Sequence, residues 1–258
     1  MEAIHLNKHV DDIFSGYSKL ETPEERKEHK VEGSLMFEGF EELVRQYEEI
    51  LATKEWDNLQ KLLAKNRIIL EPEEINRFLQ ATIGYESHKL YCDRTGFFIT
   101  RLIQNSNDAG NNKFILSTKA LAKELRAIGY NLRGKHDRPL EIRVDGNTGG
   151  WCGFEAQNIR QIYIGGNAGG DCGYKAKDIG KIHIAGNSGG WCGSWAENIK
   201  EIYIGGEAGA YCGHEAENLA FKTPNKQTLR LLKEHVPKGK GNRIYFIHPD
   251  NHEEEIKW

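Results

Sequence analysis

The chain has 258 residues and a formal net charge of −3, a length that can bury a core without a metal or disulfide staple. Near-neutral charge supplies no broad basic field and argues against general nucleic-acid binding. No apolar run approaches the ~18 residues of a membrane span, and the opening MEAIHLNKHVDD lacks an apolar signal-peptide core. The expectation is a soluble, cytoplasmic protein with reduced thiols.

Residues 1–34 are polar. His5 and His9 stand four apart and could share a helix face, but no third ligand lies nearby, so the reading is solvated side chains and no metal. Thr22-Pro23-Glu24-Glu25 is a helix start, with proline in the first turn and acids beside it. From Phe37 to Lys54 the series Phe37, Phe40, Leu43, Val44, Tyr47, Ile50, Leu51 has helical spacing and predicts an amphipathic helix. A second helix is expected from Trp56 to Lys65. A third starts at Glu71-Pro72 and carries Ile75, Phe78 and Leu79.

Cys92-Asp93-Arg94-Thr95-Gly96 precedes an apolar segment that includes Phe97, Phe98, Leu102 and Ile103. A nucleophilic Cys92 would need a positioned base and an acid partner; His88 is four residues away, no acid partner is identifiable, and the residue reads as structural. Asn105 to Asn112 reads as an Asn/Gly-rich loop, after which Ser117 or Thr118 should cap a helix running to Leu125. These elements are expected to close the first end of the repeat region beyond them.

Residues 141–220 repeat one twenty-residue unit four times without a gap. Such a period is the mark of a solenoid. Each unit opens with a period-two strand in which Ile142, Ile162, Ile182 and Ile202 are followed by Arg143, Tyr163, His183 and Tyr203. Parallel strands sit about 4.8 Å apart, so equivalent positions must form ladders. The inner ones are Ile/Val, the alanines from Ala156 to Ala216, Ile159 to Leu219, and the cysteines Cys152, Cys172, Cys192 and Cys212. Sulfurs in such a row do not surround a tetrahedral metal, and no CxxC pair is present, so this is a core ladder of free thiols. Recurring glycines mark the corners, and Asn147, Asn167 and Asn187 can satisfy backbone groups between coils.

The outside of the coil carries Trp151, Trp191 and Tyr211 at one position, interrupted by Asp171, with Trp195 nearby and Tyr163, His183 and Tyr203 on the strand face. These seven aromatic positions either form a binding face or pack beneath the N-terminal region.

GGNAGGDCGYKAKDIGKIHIAGN resembles the glycine-rich repeat found in the C-terminal domain of the glutamate synthase large subunit and in one of the subunits of formylmethanofuran dehydrogenase. LRAIGYNLRG at 125–134 resembles that family's lead-in to its first coil. The resemblance covers about residues 121–220. It implies a right-handed parallel β-helix and, because the domain is chiefly structural in both settings, no catalytic residue. Where that family has a Gly-Gly pair late in the coil, this chain has Asn158-Ile159, Asp178-Ile179 and Asn198-Ile199.

After Leu219 the period stops; Thr223-Pro224 opens a helix through Val236, and a strand is expected from Arg243 to His248. The reading is an α+β protein: a mainly helical part to residue 120, a four-coil parallel β-helix at 121–220, and a helix-and-strand cap at 221–258. Three roles stay open. The first is a non-catalytic scaffold binding a protein partner. The second is an accessory subunit of an amidotransferase or oxidoreductase complex. The third is catalysis using Cys212 with His214, or His183. No cofactor is expected, and an uncovered solenoid end could pair with a second copy.

Overall fold

The computed structural model describes residues 39–257; His5, His9, the Thr22–Glu25 helix start and the expected beginning at Phe37 lie outside the described residues. Four α-helices come first: α1 Phe40–Ala52, α2 Trp56–Lys65, α3 Pro72–Ala81 and α4 Tyr91–Ala109. Apolar residues at helical spacing put Leu43, Tyr47, Ile50 and Leu51 of α1 inside. The Tyr47 ring meets Phe78 and Tyr85 edge-on, and its hydroxyl shares a 2.7 Å hydrogen bond with Thr95. Helix α3 begins where Glu71-Pro72 predicts, with Glu71 and Glu74 forming a reciprocal capping box. No helix among the described residues is long and apolar enough to cross a membrane.

Two segments depart from expectation. Asn105 to Asn112 is not a loop, because α4 continues to Ala109 and only Gly110 breaks it, at φ 140°. Its asparagines are buried and partnered: Asn105 Nδ2 donates to Asn66 Oδ1 at 2.8 Å, and Asn107 Nδ2 to the Arg133 carbonyl at 3.2 Å. These tertiary partners outweigh the loop preference of the residue type. Ser117 and Thr118 start no helix. Residues Lys113–Ser117 form strand β1, which buries Phe114 and Leu116, and the Thr118 hydroxyl donates across to the Asn147 carbonyl.

The remaining strands are β2 Leu140–Asp145, β3 Gln157–Ile164, β4 Lys177–Ile184, β5 Glu197–Ile204, β6 Ala220–Thr223, β7 Arg243–Ile247 and β8 Glu253–Glu255. They join β1 in one sheet in sequence order, parallel as far as β7, with β8 antiparallel to it. The result is a roughly five-turn β-solenoid, so the chain is an α+β protein. One inner ladder runs Phe114, Ile142, Ile162, Ile182, Ile202, Phe221, Ile244. The four repeat units therefore lie inside a longer stack, extended at one end by β1 and at the other by β6 and β7. Helix α5, Lys226–His235, is an insertion between the last two; Asn225 caps it by accepting from the amides of Gln227 and Thr228.

Both ends of the stack are managed. The open edge of β1 meets α3 side chains: Asn76 accepts from the Ser117 amide, and Gln80 donates to the Ser117 carbonyl. Helix α4 docks on the lead coil through positions four apart. The Cys92 carbonyl accepts from the Arg126 amide, Gly96 faces the Arg126 carbonyl, and Thr100 bridges the Ala127 carbonyl and the Gly129 amide. Burial, its largest influence, pushes the Cys92 thiol above its ordinary range. At the far edge, β8 presents three exposed glutamates, a charged border that discourages further strand pairing.

The corner glycines serve two purposes. Gly173 has φ 66°, a left-handed conformation that glycine adopts without penalty. Gly189 instead has no room, since a Cβ there would stand 2.5 Å from the Gly170 amide nitrogen. Asn147, Asn167 and Asn187 accept from the backbone amides of Asn167, Asn187 and Glu207, each at 2.8 Å, so the side chain of one coil ties down the next. Cys152, Cys172, Cys192 and Cys212 are free and buried. Hydrogen bonding to Cys152 and Cys192, together with burial, holds the Cys172 thiol well above its usual range.

Candidate functional site

The seven outer aromatic positions fall on two separate surfaces. Tyr163, His183 and Tyr203 stand on the outer face of β3, β4 and β5 and stack as one column, with ring centroids 4.8 and 4.4 Å apart. The Arg143 guanidinium closes its lower end, 4.4 Å from the Tyr163 ring. Beside it runs a charged row in which Lys181 meets Glu201 at 2.6 Å and Lys222 bridges Glu201 and Glu253.

Within that column, burial and the neighbouring Lys181 hold the His183 imidazole below its ordinary value of 6.5. The unfolded chain then binds more protons than the folded one in the window just below pH 6.5. The contribution is complete above that pH and is lost as pH falls through the window. Thermal unfolding of the wild type should therefore lose more of its midpoint between about pH 7.5 and pH 5 than that of His183→Phe, which keeps a stacked ring without a proton to bind. Equal losses would contradict this placement.

Trp151, Trp191, Trp195 and Tyr211 lie instead on the turn edge. The turn preceding each later strand carries left-handed residues, Trp151 at φ 67°, Trp191 at 64°, Trp195 at 56° and Tyr211 at 61°, which swing these side chains outward from the coil. The turns are held in register, since Trp151 N donates to Gly170 O, Asp171 N to Gly190 O, and Trp191 N to Ala210 O. Trp191 stacks on Tyr211 at 4.6 Å, Tyr211 meets His235 of α5 at 5.1 Å, and the His214 ring lies edge-on to Trp191, Trp195 and Tyr211. Trp191, Trp195 and Tyr211 are 37%, 46% and 45% exposed. Trp151 sits apart from this group, covered by the Arg126 guanidinium 4.2 Å from its ring.

Cys212 and His214 are not brought together. The thiol lies in the buried ladder and donates to the Gly189 carbonyl at 3.6 Å, whereas the imidazole belongs to the outer ring cluster. His214 and His235 are the members of the edge that the aromatic pattern passed over. The first is legible as the rung position of Phe154, Tyr174 and Ser194. The second arrives from an insertion that breaks the period. A third column, Tyr130, Phe154 and Tyr174, stacks at 5.1 Å steps toward α4 and ends under the Lys175 ammonium.

One concavity is a trough of about 700 Å³ along the coil corner, with Asn158, Asp178, Asn198 and Asn218 on its wall. Asn218 donates to Asn198 at 2.8 Å, and Asn198 to Asp178 at 3.1 Å. Arg160, Lys200 and Arg243 give it a local positive bias, and Arg160 is paired with Glu141 at 3.0 Å. Among the described residues no group of three or more His, Cys, Asp or Glu side chains is placed to hold a metal ion.

Fold and surface together define a β-solenoid with a helical cap and an exposed aromatic edge. No protein-family model, no curated protein and no solved structure matches the chain.

Proposed function

We propose that this protein is a binding scaffold whose turn edge, built on Trp191, Trp195 and Tyr211, receives a protein partner. The observation that carries the reading is that these three large aromatic residues stand more than a third exposed in one contiguous cluster, on turns pinned by inter-coil hydrogen bonds. Tryptophan and tyrosine on a rigid support offer large contact area at low ordering cost, which is why they dominate the energetic centres of protein interfaces. A solenoid adds stiffness: each coil contacts its neighbours in fixed register, so the edge is organised before any partner arrives. The resemblance of residues 121–220 to a chiefly structural repeat of metabolic enzyme complexes supports the same reading, and a stoichiometric place in such a complex is one form it can take.

The experiment is affinity purification of the tagged full chain from its native cells, beside a variant carrying Trp191→Ala, Trp195→Ala and Tyr211→Ala. The expected result is a partner recovered in stoichiometric amount with the wild type and at least about tenfold depleted with the variant, whose circular dichroism should match the wild type. Equal recovery by both, or no stoichiometric partner at all, would overturn the proposal.

A further inference from the structure

We infer that the break in the aromatic ladder at Asp171 is a slot for an arginine side chain, its guanidinium stacking on the open face of Trp191 and pairing with the Asp171 carboxylate. The inference rests on the turn-edge reading above and specifies what the partner presents there.

The ladder runs Ala127, Trp151, Asp171, Trp191, Tyr211, each position left-handed and the first four hydrogen-bonded in register with the next coil. Steps of about 4.8 Å leave the two indoles roughly 9.6 Å apart. A short carboxylate between them cannot fill that interval, and a planar group in contact with Trp191 needs only about 3.5–4 Å of it. Burial, its largest influence, holds the Asp171 carboxyl above its ordinary range, opposed by the neighbouring Trp151 indole N–H and the Arg126 guanidinium.

The chain itself shows what such a face accepts. Where the ladder is short at Ala127, the residue just before it, Arg126, lays its guanidinium over Trp151. Arg143 closes the Tyr163 end of the strand-face column, Lys175 lies over Tyr174, and His235 covers Tyr211. The Trp191 face toward Asp171 has no ring or cation over it among the described residues. The residue that corresponds there to Arg126 is Gly170, which has no side chain to reach across, while a Cβ on it would find only the Gly190 carbonyl at 3.5 Å. The gap thus has an aromatic wall and a carboxylate, and the cation that acts on Asp171, Arg126, is itself stacked on Trp151 and paired with Asp93.

Arginine fits better than lysine. Its planar guanidinium stacks flat on an indole while its fork pairs bidentately with a carboxylate, whereas an ammonium gains the ring's attraction without the fork.

The test is titration of the full chain with N-acetyl-arginine amide, following the Trp191 indole N–H by NMR, with the lysine and citrulline counterparts in parallel. The expected result is a saturable shift with arginine at millimolar concentration, several-fold weaker binding of lysine and none of citrulline, which keeps the shape but not the charge. Asp171→Asn should weaken arginine about tenfold, the effect of one charge-assisted hydrogen-bonded pair. Gly170→Arg should supply the guanidinium in place, as Arg126 does, moving the Trp191 signal without ligand and abolishing the response to added arginine. No response by the wild type at tens of millimolar, or an undiminished one in Asp171→Asn, would overturn the inference, and these two arms stand even if Gly170→Arg does not fold. Retention of a purified partner by Asp171→Asn and Gly170→Arg but not by the triple edge variant would reject the slot and leave the edge reading intact; retention by all three would reject both.

Discussion

Alanine at position 96 is expected to uncouple the helical cap from the solenoid, at a loss of about 3 kcal/mol or more. Elsewhere in a helix interior the same change would stabilise by up to about 1 kcal/mol, because glycine is the poorer helix former. Here the sign reverses. A Cβ on Gly96 would overlap the carbonyl oxygen of Arg126, and that oxygen belongs to backbone held at both ends of the contact. The Arg126 amide donates to the Cys92 carbonyl, and Thr100 one turn further on ties down Ala127 and Gly129. Nothing flexible is available to yield, so the helix must lift and four hydrogen-bonded or close-packed contacts separate together. Chemical denaturation should show a clearly lower midpoint for Gly96→Ala, or a second transition as cap and solenoid part. An unchanged or raised midpoint would mean that α4 does not lie on the lead coil as described.

The second large effect concerns two glycines in adjacent ladders. Gly189→Ala would bring its Cβ to 2.5 Å from the Gly170 nitrogen and 2.7 Å from the Gly169 carbonyl carbon, so the coils must move apart. A loss of about 3 kcal/mol is expected, at the upper end of overpacking in a dense interior. Gly170→Ala is the control. Its Cβ meets the Gly190 carbonyl at 3.5 Å, an ordinary contact, and the last member of that ladder is already Ala210. Its effect should stay within about 0.5 kcal/mol of the wild type. Urea denaturation of the two variants side by side decides the point, since equal midpoints would show that corner spacing is not what requires glycine at 189.

How much of this was legible in the sequence depends on what a pattern can encode. The register of β2 to β5 was, because a twenty-residue period forces Ile142, Ile162, Ile182 and Ile202 into one ladder. Helix α3 was, because Glu71-Pro72 carries its own start signal. The outer coils were not. Phe114 and Phe221 hold the same ladder position as the isoleucines, yet β1 lies outside the period and α5 interrupts it after β6, so only tertiary pairing identifies them. Asn105 and Asn107 read as loop residues because their partners, Asn66 and Arg133, are remote in sequence. For the candidate site, the residue types were visible but not their division between two surfaces. Whether a ring joins the strand face or the turn edge depends on backbone angles such as φ 56° at Trp195, which a side-chain pattern does not carry.

The register of twenty between successive coils also governs how this gene can vary in length. Because Asn167 ties the coil of Asn187 in the same way that Asn147 ties its own, one unit is a nearly self-contained piece of grammar. Unequal recombination could duplicate or delete it whole without disturbing the coils on either side, whereas a change of one or two residues would shift every ladder above it. Variation in such a gene is quantised, and each step changes which residues become neighbours. Deleting residues 161–180, for instance, would set Trp151 directly beneath Trp191 and leave an unbroken aromatic column where Asp171 now stands.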